Sequence, residues 1–530
     1  MSGPGGKSTG PGSIINSSNK STPEATPDSV SIGKQNKHTN QGEKLQYLKI
    51  ISTNDIHGHL DPVMDNKSNS EVGGMASLGA AIKKEEADAP HNTILLDAGD
   101  ITDGGAVSDY FDGLPMVKAM NEIGYDVMTA GNHDVKQGIE GLRNIIQTAN
   151  FPVLSANLVD SHGEDEHVGT KPYVILEPEG VDIKVGVLGL TTPDTASMLD
   201  RESRERFSFL DPQQTARENI ARMKKEGAGL IILLSHLGIE SDREMARNVD
   251  GIDIIVGGHS HTELETPEKI NDTLITQTGK FGKNYGKIEV SFVKSEDGAK
   301  IRSVTSTLHK IEPHRVRSDR NIYKIADKYN RQLKPIMKRR IGTAPADLMV
   351  RDYQVYKEES ALNNFICDSL RKKTGADIFI HATSALRSSL SEGDVTVEDI
   401  FKILPWKNEV SIVQLKGKHI KQILEEQLSG PAHCSAQSGL KMVINTDAPR
   451  GSRLVDVKMQ DGSPLEDDRV YTVATEDKFA DGSIGMYGFR KALSRKDTGV
   501  DIREMLIEAI EEKGKVTSGI DGRMINLAGS

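Results

Sequence analysis

The sequence predicts a layered α/β protein, on three observations. Short runs rich in Ile, Leu and Val recur along the first half and each ends abruptly in polar residues: "LQYLKIISTNDIHGHL", "NTILLDAGD", "YDVMTAGNHD", "DIKVGVLGLTTPD", "GLIILLSHLG" and "DIIVGGHSH". Helix-like stretches lie between several of them, over Leu114–Ile123, Gly138–Thr148 and residues 213–225. Strands that are apolar on both faces, with helices between them, belong to sheets covered on both sides. The third observation is a charged amphipathic stretch over residues 318–340, "SDRNIYKIADKYNRQLKPIMKRR", beyond which the chain returns to an α/β pattern of different texture.

Taken in order, residues 1–44 are rich in Gly, Ser, Thr, Asn and Pro and lack the apolar core of a signal peptide, so they read as a disordered tail. A first domain is expected over residues 45–317, then a linking helix over 318–340, interrupted at Pro335. A second domain is expected over residues 341–530, where helices at 360–374, 397–404 and 417–428 alternate with the strands "ADIFIH" and "EVSIVQL". With 530 residues, 36% hydrophobic and 27% charged, the chain reads as globular and of more than one domain. A net charge of −11 argues against nucleic-acid or anionic-membrane partners. No apolar run approaches the roughly 20 residues of a membrane span. With no export signal visible, a cytoplasmic protein is expected. Two cysteines, Cys367 and Cys434, make no disulfide framework.

In sheets of this kind functional groups gather beyond the carboxyl ends of the strands. The sequence places Asp55 and His57, Asp100, Asn132 and His133, His236, and then His259 and His261 at those ends. Imidazole and carboxylate donors suit Zn, Mn, Fe, Co or Ni, and a carboxylate can bridge two ions. Asp55-x-His57 and His259-x-His261 each put two side chains on one side of an extended chain, and Asn132 adds a neutral carbonyl oxygen. Two ions about 3.5–4 Å apart can activate a water and clamp the attacking and leaving oxygens of a phosphoryl displacement. Each residue alone has an ordinary reading: Asp55 as a helix cap, Gly257-Gly258 as a turn, His236 as a satisfied core histidine. The signal lies in their arriving in order, each after a buried strand.

The blocks "DIHGHL", "LLDAGD", "TAGNHD", "LLSHLG" and "GGHSH" resemble, in order, the signatures of calcineurin-like metallophosphoesterases. The segment from "GDITDGG" to "GNHDVKQG" is similar to the 5′-nucleotidase branch, which includes 2′,3′-cyclic nucleotide phosphodiesterases. The resemblance runs from about Leu45 to the C-terminus. It implies a four-layered αββα metallophosphoesterase domain followed by a smaller α/β domain of the 5′-nucleotidase type that carries specificity. It also implies two divalent metal ions (Mn, Zn, Co or Fe), one held by Asp55, His57, Asp100 and His261, the other by Asp100, Asn132, His236 and His259. His133 matches the residue that steadies the transferred phosphoryl group and helps protonate the leaving oxygen. Many 5′-nucleotidases orient that histidine with an aspartate three residues further on. Here that position is Lys136, read on its own as a solvated first-turn residue, and the nearby acid is Asp134.

In the second half the resemblance gives Arg387 to the substrate-binding arginine, Trp406 and Phe479 to the two stacking rings, Asn408 to an asparagine of the same loop, and Tyr487 to a terminal tyrosine. Ser384-Ala385 stands for a Gly-Gly pair, and Gly485 for an aspartate that contacts ribose. A guanidinium suits a phosphate or carboxylate, and a flat ring suits a base. The expected function is hydrolysis of a small phosphomonoester, nucleoside 5′-monophosphates first, by in-line attack of a metal-activated water. The alternatives are another ester, a sugar phosphate or cyclic nucleotide, suggested by Gly485, and a metal-dependent nucleotide-binding module without turnover, suggested by Lys136. The expected partner is a small phosphorylated substrate, with no nucleic acid and no membrane span; the sequence sets no oligomeric state.

Overall fold

The computed structural model describes residues 44–65, 68–89, 91–160, 167–199, 201–295, 298–349, 359–383, 386–405, 408–430, 435–482 and 485–528. The tail expected over residues 1–44 (save Lys44), the Ser384-Ala385 pair, Trp406 and Cys434 lie outside these. The principal elements of the first half begin with β1 (Leu45–Thr53), α1 (Met75–Ala87), β2 (Thr93–Asp97), α2 (Leu114–Ile123), β3 (Val127–Thr129), α3 (Asn132–Val135), α4 (Gly138–Thr148) and β4 (Val153–Leu154). They continue with β5 (Tyr173–Leu176), β6 (Lys184–Thr191), α5 (Pro212–Lys225), β7 (Ala228–His236), α6 (Ile239–Asn248) and β8 (Ile254–Gly257). The last are β9 (Glu268–Ile270), β10 (Thr273–Thr276), β11 (Asn284–Ser295) and β12 (Gly298–Lys310).

Two six-stranded sheets result, ordered β12-β11-β1-β2-β3-β4 and β9-β10-β8-β7-β6-β5. Strands β1 to β4 run parallel in the first, and β6, β7, β8 and β10 in the second. Side chains alternate across a strand, yet both Ile50 and Ile51 of β1 are fully buried. Ile50, with Leu48, Leu96 and Val127, meets Val187, Ile232, Leu234 and Ile254 between the sheets. Ile51, with Leu95 and Met128, packs under Leu78, Ile82, Met120, Leu142 and Ile145 of α1, α2 and α4. On the far face of the second sheet Leu188, Ile231, Leu233 and Ile255 lie against Ile220 and Met223 of α5 and Met245 of α6. The order is helix, sheet, sheet, helix, the four layers expected. It explains why the runs are continuously apolar, since each strand is covered twice.

The charged stretch folds as α7 (Arg320–Met337), whose N-terminal amides at Asn321 and Ile322 donate to the Asp319 carboxylate at 2.8 and 3.0 Å. The expected interruption at Pro335 is corrected: the helix runs through it. Pro335 sits in the last turn, where its missing N–H removes one bond from a helix that ends two residues later. Buried Ile322, Ala326, Tyr329, Leu333 and Met337 carry the α1–α2 core on into the second half.

There β13 (Ile378–Ala382), β14 (Glu409–Lys416), β15 (Ser435–Ser438), β16 (Val470–Glu476) and β17 (Ser494–Asp501) form a sheet ordered β15-β13-β16-β14-β17. The helices are α8 (Ala361–Thr374), α9 (Val397–Ile403), α10 (Gly417–Ser429), the short α11 (Asp477–Ala480) and α12 (Ile502–Lys513). Ile420, Ile423 and Leu424 of α10 cover one face of this sheet, and Phe365 of α8 and Leu506 of α12 join the core on the other. Among the described residues no helix is long and apolar enough to cross a membrane.

Leu234 lies fully buried between the two sheets. Leu234→Ala is expected to cost about 2–5 kcal/mol through lost burial and the cavity left behind. A lowered denaturant midpoint at unchanged slope measures it.

Candidate metal centre and active site

The carboxyl ends of β1, β2 and β3 in one sheet and of β7 and β8 in the other open onto the same edge, and each hands over to a short polar turn. The turns are stitched together by their backbones. Asp55 N donates to Gly99 O and His57 N to Asp100 O, both at 2.9 Å, and Gly258 N donates to Ser235 O at 2.8 Å. Within them Asp55, His57, Asp100, Asp103, His259 and His261 all adopt left-handed backbone, with φ between 48° and 74°. Such conformations cost about 1–3 kcal/mol each outside glycine and cluster where geometry serves function. Gly131 admits the closest approach: a Cβ there would overlap Oδ1 and the backbone N of Asp100.

This folding brings the expected side chains together. Nε2 of His57 lies 2.9 Å from Nε2 of His261, and 3.7 Å from both Oδ1 of Asp55 and Oδ2 of Asp100. Nε2 of His236 lies 3.2 Å from Oδ2 of Asp100 and 3.0 Å from Oδ1 of Asn132, which Nδ1 of His259 also approaches, at 2.8 Å. Three groups could each hold an ion: Asp55, His57 and His261; His57, Asp100 and His133; Asp55, Asp100 and His236. All of these are buried except His133 and His261, which are half-buried.

The chemistry of the donors fits cations. His57 donates its Nδ1 hydrogen to the Asp103 carbonyl at 2.9 Å, so its Nε2 presents a lone pair to the centre. Burial keeps the His57 ring below its ordinary pKa against the pull of Asp100. His236 likewise directs Nδ1 to the Ala98 carbonyl at 2.7 Å, leaving Nε2 against two oxygens, of Asp100 and Asn132. Facing lone pairs repel unless a proton or a cation stands among them. Burial opposes a proton on His236, yet the Asp100 charge outweighs burial and lifts that histidine to about 10. Asp100, despite burial, is held well below the usual carboxylate range by His236, His133 and His57.

Two acids beside His133 have roles that sequence reasoning did not separate. Asp134, the nearby acid counted with His133 among the catalytic residues, is fully buried and turned away to the backbone. It accepts from the amides of Asp100 and Gly131 at 2.9 Å, from Thr102 N at 3.1 Å and from Thr102 Oγ1 at 2.9 Å. It therefore clamps the β2 and β3 turns to each other, and burial with the Asp100 charge lifts it to about 6. The partner of the His133 ring is Asp103, whose Oδ2 lies 2.6 Å from Nδ1. The same oxygen lies 3.2 Å from Nζ of Lys136. The Lys136 side chain is only 10% exposed, which corrects its reading as a solvated residue. Burial pulls the His133 pKa down, but Asp100 and Asp103 outweigh it and hold the ring above its ordinary value. Asp103 was hidden in sequence because Asp-Gly-Gly reads as a turn; its left-handed backbone and burial identify it.

The residues expected to bind substrate are less gathered. Arg387 is exposed, with its backbone N bonded to Ile403 O. Tyr487 is 55% exposed, with the Arg490 guanidinium 5.1 Å from its ring centroid. Asn408 is buried and donates to Oε2 of Glu476 at 2.5 Å. The expectation of a stacking surface at Phe479 is corrected: its ring packs in the core under α10, with Ile420, Ile423 and Phe489. Its neighbours Asp477 and Lys478 turn the other way and lie within electrostatic reach of Lys136. Further ion pairs join the halves, Arg204 to Asp481 at 2.6 Å and Arg503 to Asp109 at 3.9 Å.

Residues 48–263 match the family model of calcineurin-like phosphoesterases, and residues 340–491 that of the 5′-nucleotidase C-terminal domain. The chain is 29% identical over 525 residues to the trifunctional nucleotide phosphoesterase protein YfkN of Bacillus subtilis, covering 90% of this chain and 35% of that protein. It thus spans about a third of that relative's length. It is 27% identical over 513 residues to protein UshA of Yersinia enterocolitica, covering 89% of this chain and 92% of that one. Among solved structures, a 5′-nucleotidase precursor from Thermus thermophilus superposes with a TM-score of 0.69 at 29% identity, over 91% of this chain and 99% of that one.

Two outcomes follow. Because the Asp100 charge outweighs burial and raises the His236 pKa well above 7, cation binding at pH 7 is expected to release about one proton and to tighten as pH rises. Calorimetric titration of Mn²⁺ or Zn²⁺ in buffers of different ionisation enthalpy reads this directly, and zero release contradicts it. Gly131→Ala is expected to displace Asp100 and weaken cation affinity by at least about tenfold, measured in the same titration.

Proposed function

This chain belongs to the calcineurin-like phosphoesterases that carry a 5′-nucleotidase C-terminal domain, and on that footing we propose that it is a two-metal hydrolase of small phosphomonoesters, nucleoside 5′-monophosphates first among them. The observation that carries the reading is the convergence of Asp55, His57, Asp100, Asn132, His236, His259 and His261 beside His133, whose Nδ1 meets Asp103. Divalent cations bound there supply the positive charge that activates a water and offsets charge on the phosphoryl oxygens.

The chain's own residues do the rest. Asp100 and Asp55 bring negative charge to hold cations, each braced by a backbone amide, from His133 and His259 respectively. His133, 21% exposed at its side chain, stands at the open side of the cluster. Water adds to phosphorus opposite the ester oxygen and gives up a proton to solvent, from which the His133 ring is recharged after each turnover. The bond to the leaving oxygen breaks with its electron pair on that oxygen, which takes a proton from the His133 ring. The substrate is held between this edge and the second half, where exposed Arg387 offers a guanidinium to an anionic group. Names of the relatives support a nucleotide. The burial of Phe479 in the core favours a second reading, an ester without a nucleobase, such as a sugar phosphate.

Asp100→Asn keeps the shape of the side chain but removes its charge. It is expected to lower phosphate release more than about a hundredfold, as loss of a ligand exceeds loss of a supporting group, with bound Mn²⁺ falling in parallel; unchanged turnover sinks the assignment. Phosphate release across AMP, other nucleotides, cyclic nucleotides and sugar phosphates with Mn²⁺, Zn²⁺ or Co²⁺ separates the two substrate readings.

A further inference from the structure

We infer that Asp103 is the positioning residue of His133, and that Lys136 and Asp103 together replace an orienting acid carried on the histidine's own turn. The inference rests on the phosphoester hydrolase reading for its consequence in turnover, but on geometry for its existence.

Four observations carry it. First, Oδ2 of Asp103 meets Nδ1 of His133 at 2.6 Å, a short charge-assisted contact that fixes which ring nitrogen carries the inward hydrogen. Nε2 is then turned toward the cluster and the departing oxygen. Second, Asp103 is 3% exposed and sits at φ 63°, a buried acid in costly backbone, which an incidental surface pair does not require. Third, its backbone carbonyl accepts from Nδ1 of His57 at 2.9 Å, so one residue sets the orientation of two neighbouring imidazoles. Fourth, the acid nearest in sequence, Asp134, is spent on four backbone and hydroxyl donors and is not aimed at the ring.

Lys136 completes the arrangement. It occupies the position, three residues after His133, where many 5′-nucleotidases keep the aspartate. Its ammonium is 3.2 Å from the oxygen that holds His133. Held from one side by the ammonium and from the other by Nδ1 of His133, Oδ2 of Asp103 has a fixed position beside the ring. Acid and turn residue have exchanged ends: the carboxylate now comes from the β2 turn, and the turn after β3 supplies the cation.

The experiment compares wild type, Asp103→Asn and the double variant Asp103→Ser with Lys136→Asp, using Mn²⁺ and two esters, p-nitrophenyl phosphate and a simple alkyl phosphate. Asn tolerates the left-handed backbone, so the turn is retained. Asp103→Asn is expected to lower kcat on the alkyl ester about 10–100-fold at little-changed KM. The loss on the aryl ester is expected to be much smaller, because that leaving group needs no proton. The double variant, with an acid restored on the histidine's turn, should recover most of the loss. Equal losses on both esters, or no recovery, overturn the inference and leave Asp103 a structural residue. A second readout does not depend on turnover: the hydrogen-bonded Nδ1 proton of His133, observed by NMR in the Zn²⁺-loaded protein, should move upfield in Asp103→Asn. An unmoved signal also overturns the inference. Should wild type hydrolyse neither ester, the hydrolase reading fails and the NMR signal still decides the role of Asp103.

Discussion

Holding many lone pairs at one point is the constraint on which this structure depends. Imidazole nitrogens and carboxylate oxygens within 4.8 Å of one another in each group, nearly all buried, repel in the absence of positive charge. The fold resists that repulsion in two ways. The buried parallel strands at the heart of the two sheets fix where each turn starts, so the turns cannot drift apart without opening a core. A single carboxylate, Asp134, gathers the backbone amides of Asp100, Thr102 and Gly131, and so joins the turns after β2 and β3 irrespective of what the ligands do. The left-handed backbone at Asp55, His57, Asp100, Asp103, His259 and His261 is the local cost of aiming those side chains inward.

Much of this was legible in the sequence because the signal is local. An apolar run followed at once by Asp, Asn or His can be seen without knowing the fold, and the fold does place those runs' ends together. The structure therefore gathers the residues expected as ligands at one edge, although no single residue identified itself in the sequence. What was not legible depended on where a side chain turns after the strand has ended. Asp134 is next to His133 in sequence and far from its ring in function, because the helical start of α3 directs its carboxylate back over the amides of its own turn. Asp103 is distant in sequence and hidden by an Asp-Gly-Gly pattern that has an adequate explanation as a turn. Phe479 shows the opposite failure: a one-residue change of side in a short helix exchanges core for cleft, and α11 buries Phe479 while directing Lys478 toward Lys136.

The second half is coupled to the chemistry through the loop that carries Asp103. Gly104 N, the next amide along, donates to Oδ1 of Asp109 at 3.0 Å. Asp109 is itself buried, and burial with the Asp103 charge raises it to about 6. Its counter-charge is Arg503 at 3.9 Å, a residue of α12 that is 3% exposed, with its guanidinium 4.4 Å from the Phe401 ring centroid. Removing that cation would leave two buried carboxylates, Asp103 and Asp109, facing each other across a glycine, and the loop would have to open or take up a proton. Lys136 is subject to the same logic from the other side, since Asp477 of α11 supports its charge, while burial and the Lys136 charge lower Lys478 to about 8. The electrostatics at His133 thus extend to cations and anions supplied by the second half of the chain. A substrate that shifts α11 or α12 by even an ångström changes the electrostatic environment of the Asp103–His133 pair. Charges of the second half and the Asp103–His133 pair of the first thus form one connected set, so a change of charge at α11 or α12 is felt at the histidine.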